Sequence, residues 1–456
     1  MNWGREKRFA VCSTRIMTPS GLLDGAVVVS GGRIEQVGPA SLITAGTPVY
    51  DAGNLILMPG LTDTHVHINE PGRTDWEGYQ TATRAAAAGG ITTVVDMPLN
   101  CIPVTTSLPA FREKLAAVGR QLHVDCAYYG GVIPGNADSL KEMVAAGIVG
   151  FKAFMVHSGI DDFPKADPED LAVAMRLLKT LDVPLLVHAE LDDSDGTAVY
   201  AEHALPEPYS SYLKSRPDSW EIEAIRTVIG LSAREGCRTH VVHLSAAGAV
   251  PDIIAARKRG TPITVETCPH YLTFAAEEIA DGDTRFKCAP PVRERANQDK
   301  LWQHLAHDEI DFVVSDHSPC APHLKIQDKG DFEHAWGGIA GLQFGLPAVW
   351  SGAKARGYSE AQVARWMCMQ PAALVGLSHR KGRIAAGYDA DLVVFDPDKP
   401  TVPSAERIYH RHKVTPYAGR SLRGAVEATF VRGALVFERG AFPTEHAGNS
   451  LLKGHL

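Results

Sequence analysis

What most limits the fold of this chain lies between about Pro59 and Gly376. There, short runs rich in β-branched and apolar residues alternate with helical patterns, the signature of a parallel sheet assembled from βα units. The eight runs are LTDTHVH from Leu61, ITTVVDM from Ile91, LHVDCAY from Leu122, IVGFKAFM from Ile148, VPLLVHAE from Val183, THVVHLS from Thr239, PITVETC from Pro262 and IDFVVSDHS from Ile310. In the intervening segments apolar residues recur at three- and four-residue steps, as in DLAVAMRLLKTL from Asp170, WEIEAIRTVIGLSA from Trp220 and GAVPDIIAARKRG from Gly248. Several begin after Ser or Asp and end at Gly, as helix caps prefer. Eight such units in this length predict an α/β chain closed into a (β/α)8 TIM-type barrel, with a doubly wound open sheet as the alternative.

The flanks differ. DGAVVVSGGRIEQVG near the start, GRIAAGYDADLVVFDPD from Gly382 and GAVEATFVRGALVFERG near the end are strand-like runs punctuated by Gly. At 456 residues the chain exceeds what a single core holds. Neither flank can bury a core alone. We therefore expect residues 1–58 and 377–456 to meet in one small β domain beside a barrel domain of residues 59–376. Two connections, Leu191 to Ser219 and His317 to about Gly341, are long and follow strand ends, where barrel enzymes keep their active-site loops.

A net charge of −8, from 45 basic and 53 acidic residues, leaves no basic stripe for a phosphate backbone. No stretch approaches the roughly 20 apolar residues of a membrane span, and MNWGREKRFAVCS lacks the apolar core of a signal peptide, so a cytoplasmic protein is expected. The eight cysteines show no C-x-x-C spacing and read as reduced, mostly buried thiols.

Chemistry concentrates at the predicted strand ends. His65 and His67, one residue apart on a strand, point to the same side and can reach one metal. Lys152 lies in the fourth run, His188 closes the fifth, His243 the sixth and Asp316 the eighth. His123, His203, His304, His307 and His379 scatter elsewhere and read as surface or packing residues. Lys152 is the odd member, because an ammonium repels cations. Desolvated beside a metal pair, its free amine can add carbon dioxide, and the resulting carbamate can bridge two metals.

The expected division places His65, His67 and Asp316 on one metal and His188 and His243 on the other, with carbamylated Lys152 between them. Two cations would turn a bridging water into hydroxide near neutral pH and polarise a carbonyl, while Asp316 carries the proton to the departing nitrogen. Zinc is the default; manganese, cobalt, nickel and iron(II) suit the same donors. G-x-S-x-G, P-loop and G-x-G-x-x-G patterns are absent.

At these residues the chain resembles, essentially end to end, the cyclic amidohydrolases: dihydroorotases, hydantoinases, dihydropyrimidinases and allantoinases. The resemblance implies a (β/α)8 barrel with a small β-sandwich from both termini, a carboxylated Lys152, a small-molecule substrate and a homotetramer. Within the branch it is closest to the allantoinases, which open the ring of allantoin to give allantoate in purine breakdown. HVHINEPGRTDWEGYQTATRAAAAGGITT from His65, MPLN from Met97, SDHSPCAP from Ser315 with AWGGIAGLQ from Ala335, and YHRHKVTPYAGR from Tyr409 carry the likeness. Asn69 stands where dihydroorotases resemble H-x-H-x-R, and His157 where hydantoinases typically place a tyrosine five residues after the bridging lysine. By resemblance, backbone groups around Ala289 and Gly337 would bond the ring amides, with Asn69, Asn100 and Ser318 as candidate side-chain contacts; Asn100 equally suits a turn. The alternatives are a hydantoinase or dihydropyrimidinase acting on related ureides, and a non-catalytic scaffold that keeps the fold, which lost metal ligands would betray.

Overall fold

The computed structural model describes Trp3, residues 7–192 and residues 205–454. Its centre is an eight-stranded parallel sheet whose strands lie side by side in chain order: Leu61–Val66, Ile91–Asp96, Asp125–Gly131, Gly150–Phe154, Leu185–His188, Thr239–Val241, Ile263–Thr267 and Phe312–Val313. An order that never reverses rules out the doubly wound alternative, which requires a switch point. The two outer strands meet: Val66 forms a parallel bridge with His317, and the His67 amide donates to the His317 carbonyl at 2.8 Å. The Ser315 amide reaches back to Asp63 at 3.0 Å, so the sheet is curled until its edges join.

Local signals explain the helices. Pro168–Leu181 starts in a capping box, with Asp167 accepting from Glu169 and Asp170 amides and Asp170 returning the bond, and Pro168 fills the first turn where no amide is needed. Asp218–Glu235 ends at Gly236, whose φ of +66° suits a residue without Cβ. These helices bury Leu171, Met175, Leu178, Ile225 and Val228 against the sheet.

The third strand departs from expectation. It runs from Asp125 to Gly131 rather than from Leu122. Leu122 is engaged by the C-terminal segment, whose Gly448 amide donates to its carbonyl at 2.8 Å. At the other end the strand continues through Gly130 and Gly131, since a Cβ there would lie 2.5 Å from the Phe151 ring and 2.4 Å from the Phe163 ring. Packing thus extends a strand through residues that local propensity depletes.

A second eight-stranded sheet comes from both ends of the chain. Ile56–Pro59 from the amino-terminal half pairs antiparallel with the start of Leu392–Thr401, and Phe9, Val11, Val27, Leu57, Leu392 and Phe430 form its core. Lys381 ties this sheet to the barrel. Its Nζ lies 2.9 Å from Asp125, 3.3 Å from Asp389 and 2.6 Å from Asp391, and Arg432 also pairs with Asp125. The segment around Asn449 leaves the sheet and lies along the third barrel strand: Cys126 donates to the Asn449 carbonyl at 2.9 Å, and Leu451 to the Cys126 carbonyl at 2.7 Å.

Seven of the eight cysteines are buried, Cys12 is half-buried, and all eight are free thiols. Among the described residues no helix is long and apolar enough to cross a membrane.

Candidate metal centre

The barrel strands deliver all six candidate ligands to one end of the sheet. His65 lies in the first strand and His67 directly after it, with ring centres 5.5 Å apart. The His65 and His67 Nε2 atoms face Asp316 Oδ1 at 3.2 and 3.5 Å. Across the cavity floor the His188 and His243 rings stand 4.5 Å apart, and His243 is 5.4 Å from His65. Lys152 projects from the fourth strand and is fully buried. His243 (φ +39°) and Asp316 (φ +44°) hold left-handed backbone conformations that ordinary residues avoid, at a cost of about 1–3 kcal/mol each.

Carboxylates behind the histidines fix which ring nitrogen faces the cavity. Glu266 Oε1 lies 2.5 Å from His65 Nδ1, leaving Nε2 toward Asp316. Glu190 Oε2 lies 2.7 Å from His188 Nε2 and is itself held by Arg216 at 2.6 and 3.1 Å. Asn100 Nδ2 sits 3.4 Å from His67 Nδ1. A carboxylate that accepts the distal ring N–H orients a ligating imidazole and raises its basicity, as Glu266 and Glu190 can.

The electrostatics suit cations. Burial alone would raise the Asp316 carboxyl, yet the imidazoles of His65 and His67 hold it well below the usual range. Glu266 is likewise pulled down to about 2 by His65 and His240 against its burial. Burial drives His188 down to about 4 and holds His243 well below the usual imidazole range, which favours neutral donor rings. Burial also brings the Lys152 amine down to about 7 despite the pull of Asp316 and Glu266. Neutral imidazoles, ionised carboxylates and a near-neutral amine make a donor set for divalent metals. Among the described residues Lys152 Nζ and His243 Nδ1 are buried without a hydrogen-bond partner, a costly state unless a further group binds there.

Cys268 and His270 also approach Asp316. Burial and the adjacent Asp316 push the Cys268 thiol far up, which favours its protonated form.

Above the six residues opens a cavity of about 590 Å³, a size suited to a small ligand. Asn100, Ala289, Ser318 and Gly337 line it, together with Phe154, His157, Tyr212, Lys287 and Trp336. Asn69 does not. It is fully buried, and its Nδ2 donates to the Pro319 carbonyl at 3.0 Å, pinning the loop that follows Asp316. Asn100 has φ +71°, so it shapes a turn as well as touching His67. His157 stands at the wall, mostly exposed and 3.3 Å from Asp161.

Of the two long connections, the later one supplies Ser318, Trp336 and Gly337, and the earlier one Tyr212 and Arg216. His203 and the rest of 193–204 lie outside the described residues. His123 is buried against Phe442, His304 pairs with Glu309, and His379 bonds the Gly376 carbonyl. Sequence reasoning passed over Glu190 and Glu266. Their signal was a carboxylate at the end of an otherwise apolar strand: Glu190 lies two residues after His188, and Glu266 lies in VET.

The comparisons with known proteins agree. The model of the amidohydrolase family matches residues 56–436. An allantoinase from Streptomyces avermitilis is 47% identical over 440 residues, covering 96% of this chain and 97% of the relative. One from Arabidopsis thaliana is 44% identical over 456 residues, with 96% and 90% covered. Among solved structures, an L-hydantoinase (dihydropyrimidinase) from Arthrobacter aurescens superposes with a TM-score of 0.91 at 30% identity, covering 97% of this chain and 99% of its own. The end-to-end resemblance read from the sequence is therefore borne out, and the chain belongs to the amidohydrolase family, in the group formed by the allantoinases.

Proposed function

We propose that this protein hydrolyses the ring amide of allantoin to give allantoate. One observation carries the reading: the likeness to allantoinases spans 96% of the chain and includes the segments that form the cavity. In this reading residues 59–376 form the hydrolase domain, and residues 1–58 with 377–456 the supporting β domain. His65, His67 and Asp316 would hold one divalent cation, His188 and His243 a second, and a carbamate on Lys152 would join them. The cations, zinc by default, supply an activated water and polarise the ring carbonyl.

The chain's own groups do the rest. Asp316 takes a proton from the attacking water at a carboxylate oxygen and returns it to the ring nitrogen as the C–N bond breaks and the new C–O bond forms. Glu266 and Glu190 keep His65 and His188 in their ligating orientations. Ser318, Ala289 and Gly337 flank the ring amides, with Trp336 packing at the wall. A cytoplasmic homotetramer completes the proposal.

The test is a substrate panel with metal-loaded protein. Allantoin turned over at least about 100-fold more efficiently than hydantoin or dihydrouracil supports the reading, a difference of about 2.7 kcal/mol in transition-state binding. Preference for hydantoin or dihydrouracil would assign the chain to the chemistry named for its structural neighbours. A protein that retains no metal after expression with added carbonate would be a scaffold.

A further inference from the structure

A chain of hydrogen-bonded side chains threads the barrel from its underside to the metal centre. Thr264 lines a cavity of about 310 Å³ formed by the beginnings of the barrel strands. Its hydroxyl lies 2.7 Å from His240 Nδ1, His240 Nε2 lies 2.9 Å from Glu266 Oε2, and Glu266 Oε1 lies 2.5 Å from His65 Nδ1. His65 Nε2 then faces Asp316. His240 and Glu266 are fully buried, and the His240 ring stacks on Phe312 with ring centres 5.0 Å apart and planes nearly parallel.

The order of donors follows from chemistry. Glu266 is an ionised acceptor and can take a proton-bearing nitrogen from each neighbouring ring. With neutral rings, His240 therefore donates through Nε2 and accepts the Thr264 hydroxyl at Nδ1. His65 donates through Nδ1, which leaves the Nε2 lone pair toward the cavity. The His243 amide also donates to Glu266 Oε1 at 3.3 Å, so one carboxylate fixes a side chain and a strand end at once. The arrangement behind His188 is different, because Glu190 is neutralised by Arg216.

We propose that His240 and Thr264, which line no part of the cavity above the metal centre, are positioning residues of that centre: they fix Glu266, and through it the tautomer and ring angle of His65. The inference rests on the reading of His65 as a metal ligand. It predicts a graded dependence of metal affinity on distance along the chain, which a merely structural role would not produce.

The experiment titrates zinc into metal-stripped protein against a competing chelator, and measures kcat and KM for allantoin at saturating zinc. Glu266→Gln should weaken the tighter zinc site about 10- to 100-fold, His240→Phe about 3- to 30-fold and Thr264→Val about 2- to 5-fold. His240→Gln, which can still donate to Glu266, should recover part of the loss, and KM should stay within twofold throughout. His240→Phe keeps the stack on Phe312; if it does not fold, the isosteric Thr264→Val and the His240→Gln variant decide. Unchanged zinc affinity in folded His240 and Thr264 variants overturns the proposal while leaving the centre intact. A wild-type protein that binds no zinc overturns both.

Discussion

The amine of Lys152 lies 4.6 Å from the centre of the Phe154 ring, buried and without a hydrogen-bond partner among the described residues. The same phenyl ring stacks on His188 at 4.7 Å. An apolar ring on one side and histidines on the other leave the amine poorly solvated, which favours its neutral, nucleophilic form. Lys152→Ala should therefore lose at least about 1,000-fold in kcat/KM, roughly 4 kcal/mol, together with bound metal. Steady-state kinetics and elemental analysis check this, and full activity would sink the carbamate argument.

The same amine makes the metal-free, carbonate-free protein sensitive to pH. Its pKa falls from 10.5 in the unfolded chain to about 7 when folded. Between those values the unfolded state binds the extra proton, so this group's contribution makes stability rise with pH from about 7 to 10.5, and its burial cost is fully present below 7. Lys152→Met should flatten that rise. Urea unfolding midpoints of both proteins at pH 6.5, 8 and 9.5 test it; parallel curves would exclude the effect.

Two neighbouring glycines should respond in opposite ways. A Cβ at Gly338 would lie 2.4 Å from the Ser318 carbonyl oxygen, and the Gly338 carbonyl accepts from buried Lys325 at 2.5 Å. Gly338→Ala should displace Ser318 from the cavity wall and lower kcat/KM about 10-fold or more. A Cβ at Gly337 meets none of the described residues within 4 Å, so Gly337→Ala should leave stability within about 0.5 kcal/mol. Kinetics and thermal unfolding of the pair distinguish these outcomes.

Lys381 is the cation on which three buried aspartates converge at the junction of barrel and sheet. Lys381→Met leaves Asp125, Asp389 and Asp391 with less compensation in a dry site and should cost about 3–5 kcal/mol. Chemical denaturation reads this as a lower midpoint. A midpoint within error of wild type would show that Arg380 and Arg432 suffice.

The sequence by itself determined the repeating βα order, the origin of the second sheet in both ends of the chain, and the residues that cluster at the carboxyl ends of the strands. These are local or nearly local facts. Strand periodicity places His65 and His67 on one side, and a parallel sheet brings the ends of all its strands to one edge. Tertiary structure alone decided what depends on contacts between distant segments. Glu266 meets His65 across 201 residues and Asn69 turns away to Pro319 across 250. The third strand runs through two glycines because the Phe151 and Phe163 rings occupy the space of their missing side chains. Sequence pattern records which side of a strand a residue takes, whereas the partner it finds there is set by packing of the closed sheet, in which a buried polar group must be matched by whichever distant group arrives beside it.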